Sequence, residues 1–230
     1  NPGASQLHVA YHKEEKKHRV RREDGGAAQQ RDRELAEEQA RYAAQTGDKY
    51  HELLAEAARY ASKQDLRRAA RAFRGAIALR PDKPTAYYNL GGVLSDSGHI
   101  VEAAQRYLEA KERWPAGSEY WAVAMAKAFE MLRQKECDEV TKPEWCNDEE
   151  LKALSARVVR AAPNHSVAYD MRACVLSGRC DAWEVGPRSA AELNKAATHY
   201  ERAAALCDAP AAKAQFVSLA GWCRSRAKAM

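Results

Sequence analysis

The chain has 230 residues, enough for one large domain or a solenoid with an appendage, and its 46 % hydrophobic content is enough to bury a continuous core. Its 37 Lys and Arg against 32 Asp and Glu leave a net charge of only +5, which is weak support for a nucleic-acid partner. No apolar run approaches the ~20 residues that a membrane-spanning helix needs, and no alternating β-branched stretch reads as a strand.

Residues 1–27 read as an extended basic arm. Lys13, Lys16, Lys17, Arg19, Arg21 and Arg22 crowd into ten positions near Tyr11, interleaved with Glu14 and Glu15. Such a run suits a solvated arm or a contact with an anionic surface, whether nucleic acid, an anionic membrane or an acidic protein patch. The interleaved acids argue against a pure RNA arm. Residues 28–47 read as a polar helix rich in Ala, Glu, Gln and Arg, stopped by Gly47, with Asp48 placed to cap the next helix. The sequence begins at Asn1 with no signal-peptide pattern, as expected of a fragment or of a chain that has lost a presequence.

From residue 48 a repeat takes over. Ala57 recurs as Gly91, Ala69 as Ala103, Phe73 as Tyr107, Ala76 as Ala110 and Pro81 as Pro115, each at an interval of 34 residues. The chemistry fits a helix pair joined by a tight turn. Small residues lie where the paired helices touch, Phe73 and Tyr107 fill the space beside them, and the prolines end each second helix. Gly98 supplies the turn in the second unit. Lys63, Arg67, Arg71 and Arg74 share one face of the first unit's second helix, an ordinary solvated outer face.

The stretch Tyr87-x-x-Leu90-Gly91-x-x-Leu94, followed by Gly98, Ala103, Tyr107, Ala110 and Pro115, resembles the tetratricopeptide repeat. Residues 50–83 form a first unit that departs from the pattern at Leu53 and Glu56, and 84–117 form the second. The resemblance implies an all-α, right-handed α-α superhelix of about four helix pairs within residues 48–208. Beyond Pro115 the pattern degrades. Trp121 and Met125 open a third unit over 118–163, its second helix delayed by an insertion, Gln134 to Cys146. Pro163 follows Pro115 by 48 residues, one repeat plus 14. Tyr169, Ala173 and Gly178 mark a fourth unit over 164–208, interrupted by Arg179 to Arg188. Asn147 with Glu150, and Ser189 with Glu192, read as capping boxes that restart the helices. A last helix at about 210–228, within residues 209–230, would cap the open end of the stack.

The six cysteines, Cys137, Cys146, Cys174, Cys180, Cys207 and Cys223, include no Cys-x-x-Cys pair and no histidine partner at zinc spacing. They read as buried thiols in an intracellular reducing compartment, cytoplasm or organelle interior. A disulfide, Cys174 with Cys180 or Cys137 with Cys146, is the second reading. No metal or cofactor is expected.

The resemblance also implies where function lies: first helices of successive units line a concave groove. Projected here, the lining includes His51, Leu54, Ala58, Ser62, Thr85, Tyr88, Asn89, Gly92, Ser95, Asp96, Ala122, Ala126, Phe129 and Glu130. That surface suits a protein segment held by packing. One of the chain's own segments is the other candidate occupant. The family's carboxylate clamp is not expected, because its five positions hold Leu54, Ala58, Asn89, Glu119 and Val123, of which only Asn89 agrees. Catalysis has little support: there is no phosphate loop, no paired-carboxylate motif, and the histidines are scattered. Trp145-Cys146 and Trp183 in the insertions read as structural. The expected function is a non-catalytic interaction scaffold or accessory subunit of a larger assembly. A helical-repeat RNA- or ribosome-associated factor using the basic arm is the alternative.

Overall fold

The computed structural model describes Arg41, residues 47–179 and residues 186–230. The basic arm, nearly all of the helix expected over 28–47, Cys180 and Trp183 lie outside the described residues. Among the described residues the chain is all-helical, with nine α-helices and no strand. They are α1 (Lys49–Ser62), α2 (Leu66–Leu79), α3 (Pro84–Asp96), α4 (Ile100–Arg113), α5 (Glu119–Leu132), α6 (Asp148–Ala161), α7 (Ser166–Ser177), α8 (Ala190–Leu206) and α9 (Pro210–Lys228). A single 3-10 turn, Lys135–Cys137, stands between α5 and α6.

Local chemistry starts and stops these helices. The side chains of Asp48, Asp65 and Ser118 accept from the backbone N–H of Tyr50, Arg68 and Trp121. Pro84 and Pro210 sit in the first helical turn, where a missing N–H costs nothing. Of the two expected capping boxes, Ser189 and Glu192 form both bonds, whereas Asn147 makes its own, accepting from Glu150 N–H at 2.9 Å. Pro81, Pro115 and Pro163 each follow the C-cap residue of α2, α4 and α6. Two turns inside pairs need left-handed backbone, supplied by Gly98 at φ 81° and Gly178 at φ 72°. Gln64, one repeat before Gly98, adopts φ 61° despite its side chain.

Each helix packs on the next in sequence from α1 to α6, and then α6 on α7, α7 on α8 and α8 on α9; α5 also touches α7. This nearest-neighbour order is that of a solenoid. The small positions behave as the repeat predicts. Ala57, Ala69, Ala76, Ala103 and Ala110 are fully buried. A Cβ placed on Gly91 would stand 3.0 Å from the Tyr107 ring, so any side chain there would press on the ring where α3 and α4 meet. At the joint between the first two pairs, the Arg113 guanidinium lies 4.1 Å over the Tyr87 ring. Both side chains donate to the Pro81 carbonyl, Arg113 Nε at 2.7 Å and the Tyr87 hydroxyl at 3.1 Å.

The first insertion folds back on the stack. Cys137 is buried in the core, and Val140, Trp145 and Cys146 pack against it. Cys137, Cys146, Cys174, Cys207 and Cys223 are free thiols, so Cys137 and Cys146 form no disulfide. The second insertion is anchored by Arg188, whose side chain is 5 % exposed. Arg188 donates to the carbonyls of Val175 and Gly186 and to Asp148. Lys152 bridges Asp148 at 3.0 Å and Glu192 at 2.7 Å, and Arg172 donates to the Lys152 carbonyl. One polar network thus ties α6, α7, the insertion and α8 together. The lysine and serine contacts hold the Glu192 carboxyl down at about 2.

Candidate protein-binding face

The first helices of the pairs, α1, α3, α5 and α7, carry the projected groove residues, and the structure divides them. Leu54, Ala122, Ala126 and Phe129 belong to the core, at 3 %, 0 %, 2 % and 1 % exposure. This corrects the expectation that they line an open groove. For Ala122, Ala126 and Phe129 the cause is the position of α5, which packs simultaneously on α4, α6 and α7; Leu54 sits on α1 and belongs to the same core cluster. Tyr88, Asn89, Ser95 and Glu130 are half-buried, and Asp96 is exposed.

Tyr88 belongs to an aromatic row that leads from the core to the surface. Its ring meets Tyr107 edge-on at 5.3 Å and Trp114 at 5.6 Å. Trp114 stacks on Tyr120 at 5.4 Å with 22° between the planes. Tyr107 is 4 % exposed and Tyr120 is 65 % exposed, so the row ends in solvent. Trp114 and Tyr120 flank the Pro115–Ser118 turn between α4 and α5. Sequence reasoning passed over both. Aromatics on either side of a turn were the available signal, since a turn brings its flanks together.

Beside the row runs a charged stripe. Lys127 and Glu130 pair at 2.9 Å on one face of α5. Glu130 and burial of the neighbouring hydroxyls shape the local field: Glu130 holds the Lys127 ammonium charged, and burial pushes the Tyr88 and Tyr107 hydroxyls up. Further along, Asp170 of α7 accepts from the Cys174 thiol at 3.6 Å, and that thiol lies 3.4 Å from the Tyr200 hydroxyl of α8. Burial pushes the Asp170 carboxyl up to about 6, against the pull of Arg133. Lys127, Arg133 and Asp170 were not expected. Asp170 was detectable as a lone carboxylate among apolar neighbours in α7. Asp96 and Glu130 were expected in the groove lining; Glu130 is half of an ion pair.

The remaining sequence candidates are dispersed. Glu119 pairs with His165 at 3.0 Å, and Val123 is buried. Arg67 and Arg71 are exposed on α2, and Arg74 reaches across to Glu102 at 2.9 Å. Lys13, Lys16, Lys17, Arg19, Arg21 and Arg22 lie outside the described residues. No described helix is long and apolar enough to cross a membrane.

No protein-family model matches the chain, and no curated protein matches it. Among solved structures, a crystal structure of the MamA protein superposes with a TM-score of 0.51 at 16 % identity, covering 80 % of this chain and 88 % of that one. A second MamA structure aligns with a TM-score of 0.47, also at 16 % identity, over 75 % of this chain and 88 % of that one. MamA is a tetratricopeptide-like protein. The fold defined by α1–α9 is therefore that of a tetratricopeptide-like helical-repeat solenoid.

Proposed function

We propose that the chain is a non-catalytic protein-interaction scaffold, an accessory or assembly subunit of a larger complex, which holds a partner segment along the face of its first helices beside Tyr88. The observation that carries this reading is the aromatic row ending on Tyr120. Aromatic side chains bury large area at little entropic cost and dominate interface energies. A row anchored in the core at Tyr107 is held in place before any partner arrives. The adjoining Lys127–Glu130 pair and Asp170 supply the polar contacts that set register and direction. Asn89 and Ser95, half-buried on α3, add hydrogen-bonding groups of the kind an extended backbone uses.

Two of the thiols are poorly suited to nucleophilic chemistry. Cys137 and Cys223 are buried, and burial pushes both thiols up, away from the reactive thiolate.

The test is co-purification of partners with Tyr120→Ala and Tyr88→Ala together, beside an outer-face control, Arg67→Ala with Arg71→Ala. A hot spot at the row costs the pair ~2 kcal/mol or more of affinity, and the control keeps binding. Phe129→Ala is unsuited, because its buried ring contributes to folding. If the control loses the partner and the row variant retains it, the partner sits on the outer face and the reading fails.

A further inference from the structure

At the far end of the solenoid, away from the aromatic row, a cleft of about 770 Å³ opens between the end of α7, residues Gly186–Arg188 and the last turns of α9. Its size is that of an ordinary ligand pocket. Arg179, Arg188 and Arg226 all line it, with Pro187, Trp222 and Met230 as apolar walls. The three arginines are not equivalent. Arg188 spends its donors on Val175, Gly186 and Asp148 and serves as wall. Arg179 and Arg226 are exposed and make no ion pair among the described residues. Both guanidinium groups instead rest on one ring, Arg179 at 5.1 Å and Arg226 at 5.6 Å from the centre of Trp222.

Two cations on one indole repel each other, and cation–π attraction offsets that only partly. Their charge would ordinarily be met by a neighbouring acid. Among the described residues, Asp148 is committed to Arg188 and Lys152, and Glu201 to Arg224 at 2.6 Å. Favourable placement at helix C-termini accounts for one cation on each of α7 and α9. It does not account for their convergence on one ring at the mouth of a cleft. A guanidinium packed against an indole is also held in place with N–H groups left to grip a carboxylate.

We propose that this cleft is a carboxylate-binding site that takes an acidic segment of a protein partner. Arg179 and Arg226 grip its carboxylates, while Pro187, Trp222 and Met230 receive an adjoining apolar side chain. The site is independent of the face beside Tyr88, so either can fail without the other.

The experiment is isothermal titration of the full chain with a capped peptide of two adjacent glutamates followed by leucine, at low and at physiological salt. Binding should weaken at least tenfold in Arg179→Gln with Arg226→Gln, and should be unchanged in Arg67→Gln with Arg71→Gln, which loses the same charge elsewhere. Replacing the glutamates by glutamine should abolish the heat. All four arginines are exposed, and melting curves of the variants confirm that folding is preserved. The proposal is overturned by no binding to the wild-type chain, by equal loss in both double variants, or by a single-stranded RNA oligomer that binds through Arg179 and Arg226 more tightly than the peptide.

Discussion

In the first two helix pairs, neighbouring helices touch through residues with almost no side chain: Ala57 and Ala69 in one, Gly91 and Ala103 in the other. In the later pairs the connections from α5 to α6 and from α7 to α8 are longer, and a polar network built on the buried Arg188 takes over part of that task. Arg188 clamps the second insertion to α7 and α6 through two carbonyls and a carboxylate, and Lys152 carries the link to α8. The contrast shows why the repeat pattern is clear in one half and faint in the other. Close helix contact demands a small residue at a set interval. A hydrogen bond to a backbone carbonyl demands only that a long side chain reach it, and leaves no period behind.

The largest effect tests the polar half. Arg188→Met removes every donor of the clamp while keeping bulk, and should cost ~3 kcal/mol or more, because Asp148 and two carbonyls lose a buried partner. Arg113→Met, the half-buried counterpart in the first half, should cost less, about 1 kcal/mol. Equal losses of stability in urea melts would break the comparison.

Next comes the small-residue half. Gly91→Leu drives a side chain into the Tyr107 ring, which stands 3.0 Å from the position of its Cβ, at a cost of ~1–3 kcal/mol. Gly221 in α9 has nothing within 4 Å of its Cβ position, so Gly221→Ala should stabilise the helix, by up to ~1 kcal/mol. A Gly91→Leu protein that melts with the wild type would refute the packing described for α3 and α4.

Titration separates two carboxylates shifted in opposite directions. Asp170 is held up at about 6 against an ordinary 3.8, so the folded chain binds its proton more tightly than the unfolded chain. Its contribution is most favourable below about 3.8 and is lost as pH rises through about 6. Asp170→Asn should therefore gain on the wild type across that window, by roughly 1–2 kcal/mol at its end. Glu192 has the opposite sign. Held down at about 2, it contributes stability above about 4.5 that disappears as pH falls toward 2, and Glu192→Gln should erase that loss. Denaturation at a series of pH values reads both; a pH-independent gap for either variant refutes its assignment.

The smallest effect concerns one backbone angle. Gln64 holds φ 61° where the next repeat has Gly98 at φ 81°. Gln64→Gly should relieve that strain, raising stability by up to ~1 kcal/mol after the entropy of the added glycine is counted. Gly98→Ala should lower it by a similar amount. Thermal melts with opposite signs for the two are expected; a fall in both would show that Gln64 is held by contacts of its side chain.

Much of the architecture was legible in the amino-acid order. The 34-residue interval, the three helix-ending prolines, the restarts at Asn147 and Ser189, and the last helix over Pro210–Lys228 are all local or periodic signals. They are readable because helix starts, stops and close contacts each require particular residue types at particular offsets. The binding face was less legible. Tyr88 was found by its place in the repeat, but Phe129, Leu54 and Ala122 were assigned to an open groove and are core. Trp114, Tyr120, Lys127 and Asp170 were missed. Whether a position on a first helix faces solvent or a neighbour depends on how tightly successive pairs wind. That winding is set by contacts such as α5 against α7, between residues far apart in the chain. Local sequence encodes which face of a helix is apolar; only the assembled stack decides how much of that face is left uncovered, because coverage is a property of the neighbours and not of the helix itself.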